Sequence, residues 1–208
     1  MYKDHKSRVL TFTGLLFICT MLSACLGGGS NSVKFYLVNP VDLNTIRTDS
    51  DKHLAIEIIN LHVPEYLERS HIAVRTGENS LQFSEFNQWG ENLRKNLMRT
   101  MAINLSRALS TSDISTPLSR SSSVPDYRLE IHIDEFDKDE QGVVRLNARW
   151  QLISGAEYTP LGIQQAELES PYEVGERDFD QMVGEMRVLY GELSSLIAQS
   201  ILAQQGEQ

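Results

Sequence analysis

The chain has 208 residues, 41% of them hydrophobic, with 19 basic and 28 acidic side chains and a formal net charge of −9. That length suits one domain with a sizeable core, and the acidic balance argues against a protein that holds nucleic acid on a basic face. It argues equally against attachment to anionic lipid headgroups by charge alone.

Lys3, Lys6 and Arg8 make a basic start, opposed only by Asp4, and Val9 to Leu22 is almost wholly apolar. As a helix those 14 residues would rise about 21 Å, short of the roughly 30 Å hydrocarbon core. A basic start, a short apolar run and small residues after it describe a secretory signal peptide. The small residues are Ser23 and Ala24, and Cys25 follows at once. Leu22-Ser23-Ala24-Cys25 looks like a bacterial lipobox. In proteins with that motif the cysteine sulfur receives a diacylglycerol, the chain is cut just before it, and the new amino group is acylated. The thiol suits this chemistry because its thiolate is a strong nucleophile. One myristoyl-length chain binds a membrane only reversibly, and each buried CH₂ adds about 0.8 kcal/mol, so three chains on Cys25 would anchor the protein for good.

"LGGGSNS", residues 26–32, is Gly/Ser-rich and reads as a flexible tether. Residue 26 is Leu rather than the Asp that keeps enteric lipoproteins at the inner membrane, which favours the outer membrane on its periplasmic side. The expected organisation is a leader (1–24), an acylated cysteine with its tether (25–32), and one domain (33–208). Removing the leader leaves 16 basic and 27 acidic residues, a balance of −11, because Lys3, Lys6, Arg8 and Asp4 leave with it. Cys19 leaves too, so the domain has no thiol with which to form a disulfide.

Beyond the tether, "VKFYLV" (33–38) is β-branched and aromatic and predicts a strand. "HLAIEIINLHVP" (53–64) alternates and predicts a second, closed by Pro64; residues 65–70 predict a turn. "HIAVRTG" (71–77) and "SLQFSEF" (80–86) predict a hairpin. The period then changes. Trp89, Leu93, Leu97, Met101, Leu105 and Leu109 recur every four residues and predict a helix, with Asn87 or Ser84 as its cap. Its outer face would carry Glu91, Arg94, Lys95, Arg99, Asn104 and Arg107. Residues 110–126 read as a loop. "YRLEIHIDEFDKD" (127–139) alternates as a half-buried strand, and residues 143–154 pair back on it. A further strand is predicted near 162–169. Phe179, Met182, Val183, Met186, Tyr190, Leu193, Ile197 and Ile201 then mark a long amphipathic helix capped by Asp178. Strands, helix, strands, helix imply an α+β fold: a two-layer sandwich with two long helices packed on a mixed or antiparallel sheet.

No chemical constellation stands out. His53, His62, His71 and His132 lack metal-ligand spacing, and there is no nucleophile elbow or phosphate loop. The acidic run Asp134 to Glu140 is the densest charge cluster. A calcium loop started at Asp137 would have Asp139 and Gly142 in place, but its twelfth residue is Ala148, so the bidentate ligand is missing. The run reads as a solvated hairpin end. Trp89 and the Met182/Met186 pair read as core rather than as a ligand platform or lipid groove. The expectation is therefore no catalytic residue, no metal and no cofactor.

The order of several short patterns resembles the PqiC/YmbA family of ABC-type transport auxiliary lipoproteins. They are Tyr36 in the first strand; Pro64, Tyr66, Leu67, Arg69, Ile72 and Arg75; Trp89 at the head of a helix; and Leu129, Ile131, Ile133 and Phe136. The resemblance implies a non-enzymatic component, on the outer-membrane side, that works beside an MCE-domain membrane protein in intermembrane lipid transport. A homo-oligomer matching a ring-shaped partner is a further expectation. Two alternatives stay open beside it: a direct lipid carrier with an apolar cavity between sheet and helices, and a hydrolase using a residue such as His132 or Asp134.

Overall fold

Apolar alternation, broken at two places, decides how the strands lie. The computed structural model describes residues 32–46 and 53–206. Lys34–Tyr36 form β1, which runs parallel to β4, Ser80–Trp89, with Phe35 opposite Gln88. β4 pairs antiparallel with β3, His71–Gly77, giving a sheet of order β1-β4-β3. The second sheet contains β2 (Ile56–His62), β5 (Ile114–Ser115), β6 (Tyr127–Lys138), β7 (Val144–Ser154) and β8 (Pro160–Glu169) in the order β5-β2-β6-β7-β8. Its first three strands are parallel and β6-β7-β8 is an antiparallel meander. Pro64, which has no N–H to continue a ladder, and a 3₁₀ turn at Glu65–Glu68 carry the chain from β2 in one sheet to β3 in the other.

Two helices complete the α+β sandwich: α1, Leu93–Leu109, and α2, Phe179–Gly206. The apolar stripes predicted from spacing are the buried ones. Leu97, Met101, Leu105, Tyr190, Leu193 and Ile197 are all fully enclosed, as are Met182 and Met186, so the methionines are core side chains. Trp89 is also core, but it ends β4 rather than opening α1; its amide donates to Ser70 O at 2.7 Å. The helix starts four residues later. Its cap is Asn92, whose side chain accepts from the Lys95 amide at 3.1 Å, and not Asn87 or Ser84. Ser84 instead accepts from the Asn87 backbone amide, inside an irregular stretch of β4. At α2 the expected cap is in place: Asp178 Oδ1 accepts from the Gln181 amide at 2.9 Å.

The two breaks in alternation are bulges, each an extra residue that shifts the pleat by one. In β2 the register shifts between Ile58 and Asn60, so the inward set Leu54, Ile56, Ile58 continues as Leu61 and Val63. In β6 it shifts between Ile133 and Glu135, so Leu129, Ile131, Ile133 continues as Phe136. Phe136 then stacks on Tyr190 of α2, with ring centroids 6.0 Å apart.

Candidate functional site

The features with the most specific geometry lie where the domain begins. Residues 38–41 form a strap held between the two helices. On α1, Asn96 Oδ1 accepts from the Val38 amide at 2.8 Å, and Thr100 Oγ1 donates to the Val38 carbonyl at 2.8 Å. One turn on, Asn104 Oδ1 accepts from the Val41 amide at 3.1 Å, and Arg107 donates to the Val41 carbonyl at 2.6 Å. From α2, Arg187 donates to the Pro40 carbonyl at 3.2 Å. Asn104 also donates to Ser194 Oγ at 3.0 Å, which ties the helices together behind the strap. Asn96, Thr100 and Asn104 follow a four-residue spacing, so they form one polar stripe beside the Leu93-Leu97-Met101-Leu105 stripe. Asn104 was expected on the outer, solvated face; it is fully buried because the strap covers it.

Gly191 makes room for this arrangement. A Cβ there would lie 2.5 Å from Val41 Cγ2. Gly191→Ala is therefore expected to lift Val41 off α2 and cost about 1–3 kcal/mol, the usual price of overpacking. Urea unfolding of Gly191→Ala, Val41→Ala and the double variant checks this. The double variant should be more stable than the sum of the two single losses predicts, because the shortened Val41 side chain vacates the space.

A second knot joins the two sheets. Asp137, at the end of β6, has a side chain only 1% exposed. Arg75 of β3 donates to its Oδ1 at 2.9 Å, and Tyr66 of the 3₁₀ turn donates to its Oδ2 at 2.5 Å. Arg75 also lies 3.0 Å from Glu135. Burial raises the Asp137 carboxyl above the usual carboxylate range, against the pull of Tyr66 and Arg75. Burial and the Asp137 charge together push the Tyr66 hydroxyl well up.

The acidic run is thus only at its two ends, Asp134 and Glu140, the solvated segment that its composition suggests. Asp137, Lys138 and Asp139 are all buried. One face of the β6 end packs on the core through Phe136, while Arg75 and Tyr66 lie against Asp137 on the other. Lys138 Nζ donates to the Gly175 and Glu176 carbonyls at 2.8 and 3.0 Å. Asp139 Oδ1 accepts from the Gln141 and Val143 amides and closes the turn at Gly142. Among the described residues no buried side-chain nitrogen or oxygen lacks a hydrogen-bond partner.

The other residues singled out by pattern are scattered. Leu67 and Ile72 are core, and Arg69 stacks over the Phe83 ring at 4.6 Å. His132 is half-buried, 3.5 Å from Glu130 and with its ring 5.6 Å from that of His62. Asp134 is exposed and lies 3.6 Å from Arg149. The contacts of His132 and Asp134 among the described residues are thus with Glu130, His62 and Arg149. The described residues contain no group of His, Cys, Asp and Glu side chains arranged to hold a metal ion. A cavity of about 520 Å³ opens between α1 and residues 112–119, lined by Ile103, Ile114 and Leu118 with Arg99 and Arg107. Leu22, Ser23, Ala24 and Cys25 lie outside the described residues. None of the described helices is long and apolar enough to cross a membrane.

The strap residues are what spacing arguments passed over. Their signal was available: uncharged Asn96, Thr100 and Asn104 are weak helix formers, yet they recur every four residues inside a strong helix.

The class defined by this geometry is an α+β sandwich domain whose first segment is locked down by its own helices. The chain belongs to the family of ABC-type transport auxiliary lipoprotein components, whose sequence model matches residues 36–198. It is similar in fold to a solved protein from Xanthomonas campestris at 12% identity, with a TM-score of 0.67 over 84% of this chain and 98% of that one. A second solved structure, of an uncharacterised protein, matches at 18% identity and a TM-score of 0.65, over 82% of this chain and 99% of that one. No curated protein matches the sequence.

Proposed function

We propose that this protein is a non-enzymatic accessory component of an MCE-type intermembrane lipid transport system, anchored to the outer membrane through acylated Cys25 and facing the periplasm. The observation that carries the reading is the family match across residues 36–198, beginning shortly after a cysteine that ends an apolar leader. The strap supports it: a domain that is held by its first residues needs those residues locked to its core. The partner is an MCE-domain membrane protein. Its docking site is sought on a free sheet edge, and β8, at the outer end of the five-stranded order, offers ten residues for strand addition. A homo-oligomer would present that edge symmetrically to a ring.

Affinity capture of the full-length lipoprotein from native envelopes, with mass spectrometry of protein and lipid, tests the reading. Recovery of an MCE-domain protein with little bound lipid is the expected result. Stoichiometric phospholipid without that partner would overturn it in favour of the second reading, a direct lipid carrier. The cavity beside α1 is what favours that reading, since the space between sheets and helices is filled by Leu97, Met101, Phe136 and Tyr190.

A further inference from the structure

β1 carries an unusual outward face. Tyr36 and Val38 point into the core, while Val33, Phe35 and Leu37 alternate with them and are exposed, Phe35 by 67%. Phe86, also exposed, lies on β4 two residues before Gln88, the register partner of Phe35. Singly exposed apolar side chains are ordinary, but several together on one edge mark a contact surface. β1 is also the end strand of its sheet.

The chain upstream says what covers this face. Only Leu26 to Ser32 separate Cys25 from Val33. Seven residues span at most about 25 Å when extended, and as a flexible coil roughly 15 Å. An acylated Cys25 would therefore keep Val33 within about 15–25 Å of the bilayer, with Phe35 and Leu37 close behind it, at an effective concentration that a freely diffusing partner cannot match. The strap fixes the presentation, since Val38 and Val41 are bonded to side chains of α1, and Pro40 to Arg187 of α2, just behind β1.

We infer that the Val33-Phe35-Leu37 face, with Phe86, rests on the bilayer that carries the anchor and inserts at the headgroup–acyl boundary; this rests on the acylation of Cys25 proposed above. Aromatic and aliphatic side chains partition to that depth. The contact is apolar rather than electrostatic, because the domain is acidic and is repelled by anionic headgroups. It sets the orientation of the domain against the membrane and leaves the β8 edge free.

The test uses the mature full-length lipoprotein in phosphatidylethanolamine/phosphatidylglycerol vesicles. Phe35→Cys carries an environment-sensitive fluorophore. Leu37→Cys repeats the measurement with Phe35 intact, and Ile163→Cys, exposed on β8, is the reference. The expected result is a blue-shifted emission at 35 and 37, with several-fold weaker quenching by a water-soluble quencher than at 163, unchanged by salt. Equal quenching at all three sites, on protein that floats with the vesicles, overturns the inference while leaving the anchor intact. Protection that fades as protein is diluted in lipid overturns it too, by assigning the face to a second copy. Failure to float removes the anchor and the inference together.

Discussion

Asp137→Ala is expected to lower the unfolding free energy by about 3 kcal/mol, the lower end of what breaking one side of a buried pair costs. Arg75 would retain Glu135, at 3.0 Å, which is why the loss stays near that end. Tyr66 would lose its acceptor, and a cavity would open between the sheets. A change of that size lowers the melting temperature of a domain this long by about 10 °C, readable by circular dichroism. Asp137→Asn keeps the volume and one acceptor and should cost less. The pH dependence has a definite sign. Burial raises the folded-state Asp137 pKa above its unfolded value of about 3.9, so the native state binds the extra proton in the window between them. The stability this carboxyl contributes is fully present below the unfolded value and declines as pH rises through the folded one. The cost of Asp137→Asn should therefore be smaller at pH 7 than at pH 4. A cost that grows towards pH 7 would mean that Arg75 and Tyr66 outweigh burial.

Cys25→Ser is expected to move the protein from the membrane fraction to the soluble periplasm. Serine offers no thiolate to take up a diacylglycerol, and at about 0.8 kcal/mol per buried CH₂ the loss of three acyl chains removes essentially all of the membrane affinity. The inferred Phe35 face cannot replace it, since a few interfacial side chains bind only reversibly. Fractionation with mass measurement of the N-terminus decides the matter. A wild-type protein without acyl mass, or a serine variant still resistant to extraction, would refute the lipid anchor.

The helices were legible because their apolar residues keep one period over 17 and 28 residues, and most strands because theirs alternate over shorter runs. Even the β6 bulge was written into the spacing of Leu129, Ile131, Ile133 and Phe136. What stayed hidden depended on a second layer. Asp137 lies in an acidic run, and only β3 and the 65–68 turn folding over it make it an interior group. Asn104 reads as surface on a helical wheel because the strap that covers it comes from 63 residues earlier. β5 is two residues long, too short for any period to register. Trp89 kept the four-residue spacing of the helix, yet its backbone stays with the sheet. For the anchor the position is reversed: the lipobox is the most explicit motif in the sequence and lies outside the described residues.

The strap also has a consequence for timing. Val38 and Val41 are made early, but their partners on α1 come 58 and 63 residues later, and Gly191 later still. Contacts so distant in sequence form late, after loop closure has been completed elsewhere. A chain that emerges N-terminus first therefore cannot complete the lock on its leading segment until its last helix has arrived with Arg187 and Gly191. Until then residues 38–41 lack part of what holds them to the core.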